Sequence, residues 1–447
     1  MFDLLIKNGL IVSSEGVEKL DLAVRDGKVA ALGVSGSLAE AKETVDAAGK
    51  YLFPGAIDTH AHLNDPGYNW RETFDNGTAA AAVGGYTTII DMPLQNEPAM
   101  TNAEIMRRKL AHVQPKSFVD FCLWGGLVDY NFDDLKGLED EGVVAFKSFI
   151  GPVSPDYVSL NYGQVREALE IIASFGGTAG FHCEDFSMIK WGEARAQRKE
   201  TNTWQDFLDS RPVTAELIAT EAVISLAEET GCRVHICHVS HPDVAEVVAC
   251  AQEAGLPVTA ETCTHYLSMT DKDVIKNGAL FKCAPPLRSE EAKELMWEYV
   301  LNGTFSGIAS DHSPCELSEK SEEKHGIFGA WGGISGIQSG MQVVFSEGVV
   351  KRGFDPSFMA LAMSENAARA FGIWGKKGAL KPGFDADIVI LDPDREWEIT
   401  SDSFLYVNKI SAFVGMKGKG YPVRTYVRGK LVAENGAAVE DARGYGE

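Results

Sequence analysis

Six side chains in this sequence combine metal-binding chemistry with regular placement. His60 and His62 stand two residues apart in "AIDTHAHL", and Lys147 stands in the apolar run "GVVAFKSF". His182 closes "TAGFH", His238 closes "VHICH", and Asp311 closes "GIASD". Residues i and i+2 of a strand share a face, so His60 and His62 can present two imidazoles to one ion. Imidazole and carboxylate together suit zinc, manganese, iron or cobalt. Lysine is rarely buried without a partner, and burial disfavours its ammonium form. Each residue alone has an ordinary explanation: a packed histidine, a capping aspartate, a lysine that snorkels to a rim. Their recurrence at the ends of successive apolar runs is what points to a site. His235 and His238 are three apart and would face opposite ways in a regular strand. His238, nearer the carboxyl end, is the one expected at the site, and His235 is expected to pack or to face a helix.

The elements that must position these groups alternate along the middle of the chain. Apolar runs at 51–58, 86–91, 118–124, 143–149, 178–182, 233–238, 257–261 and 306–310 read as strands, with helical patterns between most of them. Eight strands with helical crossovers predict a (β/α)₈ TIM barrel, whose chemistry gathers at the carboxyl ends of its strands. Helices near 333–350 and 355–371 would close it. A doubly wound open sheet is the alternative, but no G-x-G-x-x-G follows the first strand. The two chain ends differ from the middle. They carry short alternating runs with turn signals at Asn8-Gly9, Asp26-Gly27 and Arg428-Gly429. A lone hairpin is marginal in water, so both ends are expected to join in one small β-sandwich. The expected division is 1–53 with 375–447 for the sandwich and 54–374 for the barrel.

The 447 residues are 45% apolar and 23% charged, with a formal net charge of -23. Such a charge argues against nucleic acid or an anionic membrane as partner. Eight cysteines without a C-x-x-C pair suit the reducing cytosol. The N-terminal "MFDLLIKNGLIV" does not read as a signal peptide, and no apolar run is long enough for a membrane span. A cytoplasmic protein is expected.

Seven segments carry a resemblance over essentially the whole chain. "PGAIDTHAHL", "VVAFKSF", "GFHCED", "HICHVS", "ETCTHYL", "KCAPPLR" and "IASDHSPC" occur in this order. The chain resembles the cyclic-amidohydrolase branch of the amidohydrolase superfamily, which holds hydantoinases, dihydropyrimidinases, dihydroorotases and allantoinases. The resemblance implies two divalent ions, zinc foremost, with manganese, cobalt or iron as alternatives. His60, His62 and Asp311 would bind one ion, and His182 and His238 the other. Lys147, carboxylated by carbon dioxide to an N6-carboxylysine, would bridge both. Asp311 would also be the catalytic proton carrier, and a homotetramer is implied. A non-catalytic scaffold relative is disfavoured because all six positions are filled.

Within that branch the residues point one way. Dihydroorotases carry arginine two residues after the second histidine, where this chain has Asn64, which cannot make the charged bidentate pair. Hydantoinases and dihydropyrimidinases place a tyrosine five residues after the bridging lysine; here Pro152 stands, with Ser148 or Ser154 as conceivable substitutes. Allantoinases are similar in "DPGYNWRETFDNGTAAAAVGGYTTIIDMPL" and in "AWGGISGIQ", while Gln95, Thr264 and Ala284 depart from their usual pattern. The expected substrate is therefore allantoin, with hydantoins or dihydropyrimidines as the alternative. Expected substrate contacts are Cys283, Ala284, Ser313, Gly332 and Gly333. Glu184, Asp185, His241 and His265 are expected to support ligands by hydrogen bonds or to cap helices.

Overall fold

The computed structural model describes residues 1–153 and 157–446. The apolar runs of the middle form eight parallel strands: Ala56–Ala61, Tyr86–Asp91, Asp120–Gly126, Ala145–Phe149, Thr178–His182, Arg233–Ile236, Val258–Cys263 and Gly307–Ala309. Each pairs with the next. A parallel bridge between Ala61 and His312 closes the ring, and His62 N donates to the His312 carbonyl at 2.8 Å. The architecture is the TIM barrel expected from the alternation.

The interior is filled by side chains rather than left as a channel. Trp124 is fully buried and its Nε1 donates to the Thr59 carbonyl at 3.1 Å. Gly180 makes room for it, because a Cβ there would lie 2.5 Å from the indole ring. Phe371, after the last helical turns, packs on Trp124 from the other side. The helices begin where the sequence offers caps. Thr73 caps Phe74–Val83, Asn102 caps Ala103–Val113, and Val213–Thr230 stops at Gly231 in the left-handed region. Two helices after the fifth strand, Phe186–Ala196 and Trp204–Ser210, were not legible as crossovers because their charges obscure the helical period.

Both chain ends contribute to one nine-stranded sheet wrapped around its own core of Leu4, Ile6, Leu22, Val24, Ile388 and Tyr426. The run 51–58 splits here. Tyr51–Pro54 pairs with Leu10–Ile11 and with Ile388–Leu391, so it belongs to the end sheet, and the barrel starts at Ala56. Asp26-Gly27 and Arg428-Gly429 are two-residue hairpin turns with positive φ. Asn8-Gly9 is not a turn. It is a bulge inside the strand Phe2–Ser13, where Asn8 at φ 63° donates its N–H to Asp21 Oδ1 at 2.8 Å. The local signal for positive φ was correct, but Asp21 and Asp46 satisfy Asn8 within a continuing strand.

A buried ion cluster ties the end sheet to the barrel. Lys377 Nζ reaches Asp387 at 2.8 Å, Asp385 at 3.1 Å and Asp120 at the start of the third barrel strand. Arg428 also pairs with Asp120. Burial pushes Lys377 down, but Asp387 and Asp120 more than reverse this and hold it charged. Removing one member of such a cluster leaves buried charge uncompensated. Lys377→Met is expected to cost about 3–5 kcal/mol, read as a lowered urea midpoint; an unchanged midpoint would contradict this account of the junction.

Candidate metal centre and active site

The carboxyl ends of five barrel strands bring the six expected residues together. His60 lies in the first strand and His62 just beyond it; Lys147 is in the fourth, and His182 ends the fifth. His238 and Asp311 follow the sixth and eighth strands by two residues, each at φ 41°. That left-handed backbone breaks the strand alternation. It lets His238 turn to the mouth although His235, three residues earlier, also points inward. His235 is packed, as expected, but against the barrel interior rather than a helix. Its Nδ1 lies 2.8 Å from Thr259 Oγ1 and its ring contacts Trp124 and Phe371.

Two groups of ligand-type atoms face one another. Asp311 Oδ1 lies 3.4 Å from His60 Nε2 and 3.6 Å from His62 Nε2. Nearby, His182 Nδ1 lies 3.1 Å from His238 Nε2. The rings of His60 and His238 are 5.2 Å apart between centroids and join the two groups. Lys147 is fully buried, and its Nζ has no hydrogen-bond partner among the described residues. It stands 4.9 Å from the centre of the Phe149 ring, on which His182 also stacks.

Buried carboxylates set the ring orientations. Glu261 Oε1 lies 2.5 Å from His60 Nδ1, which assigns the proton to Nδ1 and leaves Nε2 free to bind. Glu184 Oε2 lies 2.8 Å from His182 Nε2, leaving Nδ1 to face His238, and Arg211 anchors Glu184 at 2.5 Å. Asp58 accepts from Ser310 N at 2.9 Å and Ser310 Oγ at 2.5 Å, fixing the turn that carries Asp311. Burial and the charge of Lys147 push His60 down to about 4. Burial also lowers His182 and takes His238 well below the ordinary range, with Lys147 adding to both. These shifts favour the neutral imidazole, the form that binds a metal. Burial raises Asp311, but His60 and His62 overcome it and hold the carboxyl at about 2. A donor set of four imidazoles, a carboxylate and an unpartnered amine fits a pair of divalent ions.

A cavity of about 490 Å³ opens over these groups. His60, His62, His182, His238 and Asp311 form its floor; Ala284, Ser313, Gly332 and Gly333 stand in its wall, with Gln95, Pro152, Arg211 and Trp331. Cys283 is buried and is not among the lining residues. Gly333 must be glycine, since a Cβ would lie 2.8 Å from the Ser313 carbonyl oxygen. Asn64 is buried, adopts φ 57° and donates to the His62 carbonyl at 3.1 Å, outside the lining. Pro152 puts no hydroxyl into the wall. Ser148 is buried away from the lining, and Ser154 lies outside the described residues.

Among the expected supporting residues, Glu184 orients His182, while Asp185 and His241 cap helices. His265 is fully buried, with neither ring nitrogen partnered among the described residues. Glu261, Asp58 and Arg211 were missed from the sequence. Glu261 carries the same signal that exposed Lys147, a charge inside the strand run "VTAETC".

The chain belongs to the amidohydrolase family, whose model matches residues 51–432. A protein named allantoinase from Rubrobacter xylanophilus is 40% identical over 99% of this chain and 97% of its own length. One of the same name from Escherichia coli is 38% identical over 96% of this chain and 95% of its own. Among solved structures, the L-hydantoinase (dihydropyrimidinase) of Arthrobacter aurescens superposes with a TM-score of 0.97 at 34% identity, covering 100% of this chain and 99% of that one.

The pairing of Glu261 with His60 yields a direct test. Glu261→Gln keeps the shape but removes the charge that orients and enriches the imidazole. Divalent-ion affinity is expected to fall about 10–100-fold, measured by metal retention against graded chelator; unaltered retention would contradict this role.

Proposed function

We propose that this chain is a metal-dependent cyclic amide hydrolase that opens the hydantoin ring of allantoin to give allantoate. The observation that carries the reaction class is the buried Lys147 amine, unpartnered among the described residues and close enough to His60, His182 and His238 to act on the charge of each. In this reading His60, His62 and Asp311 would hold one ion, His182 and His238 would hold the other, and Lys147 would serve both. A neutral amine that adds carbon dioxide and loses a proton becomes a carbamate, which would offer the ions two carboxylate-like oxygens. Zinc suits the imidazole-rich set, with manganese, cobalt and iron also compatible. Two such ions, when bound, supply a hydroxide nucleophile at neutral pH and polarise the ring carbonyl.

The remaining work belongs to the chain. Asp311 Oδ1 faces the floor of the cavity, takes the proton of the attacking water and passes it to the ring nitrogen as the C–N bond breaks. The hydroxyl stays on the carbonyl carbon, so the products are a carboxylate and a free ureido nitrogen. Backbone at Ala284 and Gly332 would meet the ring amides and Ser313 the ureido arm, while Gly333, whose N–H and carbonyl are engaged by Lys282 and Lys320, gives the wall its close approach.

The choice of allantoin rests on the full-length relatives of that name and on the wall residues. Asn64 lacks the charge a dihydroorotate carboxylate would require. Hydantoins and dihydropyrimidines remain the second reading, favoured by the solved neighbours' names and weakened by Pro152 in the tyrosine's place. Eight unpaired cysteines fit a cytosolic setting, and a homotetramer is part of the same proposal. The test is a turnover panel of allantoin, hydantoin and dihydrouracil. Allantoin is expected to turn over fastest, to lose turnover on chelation and to regain it with zinc, manganese or cobalt. Fastest turnover of dihydrouracil, or activity indifferent to chelation, would overturn the proposal.

A further inference from the structure

We propose that Lys282 and Lys320 are positioning residues for the substrate-facing segment 327–333, two buried ammonium groups that hold five of its carbonyls in set directions. Lys282 Nζ donates to the carbonyls of Ile327 at 2.9 Å, Phe328 at 2.7 Å and Ala330 at 2.6 Å. Lys320 Nζ donates to those of Trp331 at 3.0 Å and Gly333 at 2.7 Å. Both lysines are buried, and the acceptors that hold their ammonium groups are these backbone carbonyls. Burial pushes Lys282 down to about 7, with Arg211 and Lys320 repelling it further, and burial pushes Lys320 down to about 8. A charge kept in such a place needs acceptors, and backbone carbonyls are the acceptors it has.

Peptide planarity turns this clamp into substrate geometry. In a trans peptide the N–H points opposite to the C=O of the same plane. The Trp331 carbonyl is held by Lys320, so the Gly332 N–H is directed away from that lysine. The Gly333 N–H donates to the Lys282 carbonyl at 2.9 Å, so the Gly332 carbonyl is directed the other way. Gly332 lines the cavity, and its donor and acceptor are thus aimed by Lys320, which stands outside the lining, and by the backbone of Lys282, a residue of the cavity wall. The helix Glu322–Gly329, which enters the segment, is broken at Gly326 (φ 66°, ψ 172°), and neither helix nor strand covers 330–333. The ammonium groups replace the ladder that a strand or helix would supply.

The kinetic part of this inference rests on the allantoin reading; the backbone part does not. The experiment compares the metal-loaded parent with Lys282→Met and Lys320→Met by amide hydrogen exchange and steady-state kinetics. Exchange across 327–333 is expected to quicken about ten-fold with the barrel strands unaltered. KM for allantoin is expected to rise about ten-fold, with kcat within about three-fold of the parent. Unaltered exchange in the segment, faster exchange throughout the barrel, or an unmoved KM would overturn it. If the parent itself does not hydrolyse allantoin but the segment loosens, the functional reading fails and the clamp stands. If Lys282→Met does not fold, Lys320→Met carries the same test, because Lys320 reaches only the last two carbonyls.

Discussion

An amine buried at the mouth of a barrel, with no hydrogen-bond partner among the described residues, is the constraint around which this molecule is arranged. Lys147 is fully enclosed beside neutral imidazoles. An isolated ammonium in such surroundings is costly to keep. In the proposed reading a carbamate facing two cations would resolve the difficulty, because the nitrogen would lose its charge and the new oxygens would gain partners. Burial is the larger cause that pushes the surrounding imidazoles toward their neutral form.

The rest of the fold keeps that arrangement in register. Glu261 reaches across the interior to His60, Glu184 orients His182 with the help of Arg211, and Asp58 grips Ser310 beside Asp311. Asp58 and Glu261 lie within barrel strands and Glu184 two residues past one, so strand pairing transmits their positions to the ligands they support. The left-handed turns at His238 and Asp311 do what regular strands cannot, bending late residues over the mouth. Opposite the floor, the loop clamped by Lys282 and Lys320 supplies a wall made of backbone.

Much of this was legible because each strand of a parallel barrel reads as an apolar run, and polar residues at its end stand out. His60, His62, Lys147, His182, His238 and Asp311 were found that way, and they converge. Less was legible where a residue's partner lies far along the chain. Glu261 sits some two hundred positions from the histidine it orients, and nothing local to "VTAETC" names that partner. Lys282 and Lys320 were invisible for the same reason, since their acceptors are carbonyls, which every residue has. Asn8-Gly9 shows the converse: the local preference for positive φ was right, but tertiary hydrogen bonds made it a bulge. The split of 51–58 between two sheets depended on pairing with strands from the opposite chain end.

The central claim, that Lys147 is carboxylated and holds two ions together, is tested most directly on the folded, metal-loaded protein. Carbon-13 magnetic resonance after exchange with labelled bicarbonate, read beside metal content, reports both halves at once. One labelled carbamate and two ions per chain are expected, with label and second ion lost together in Lys147→Ala. Two bound ions and full activity without any labelled carbamate would contradict it.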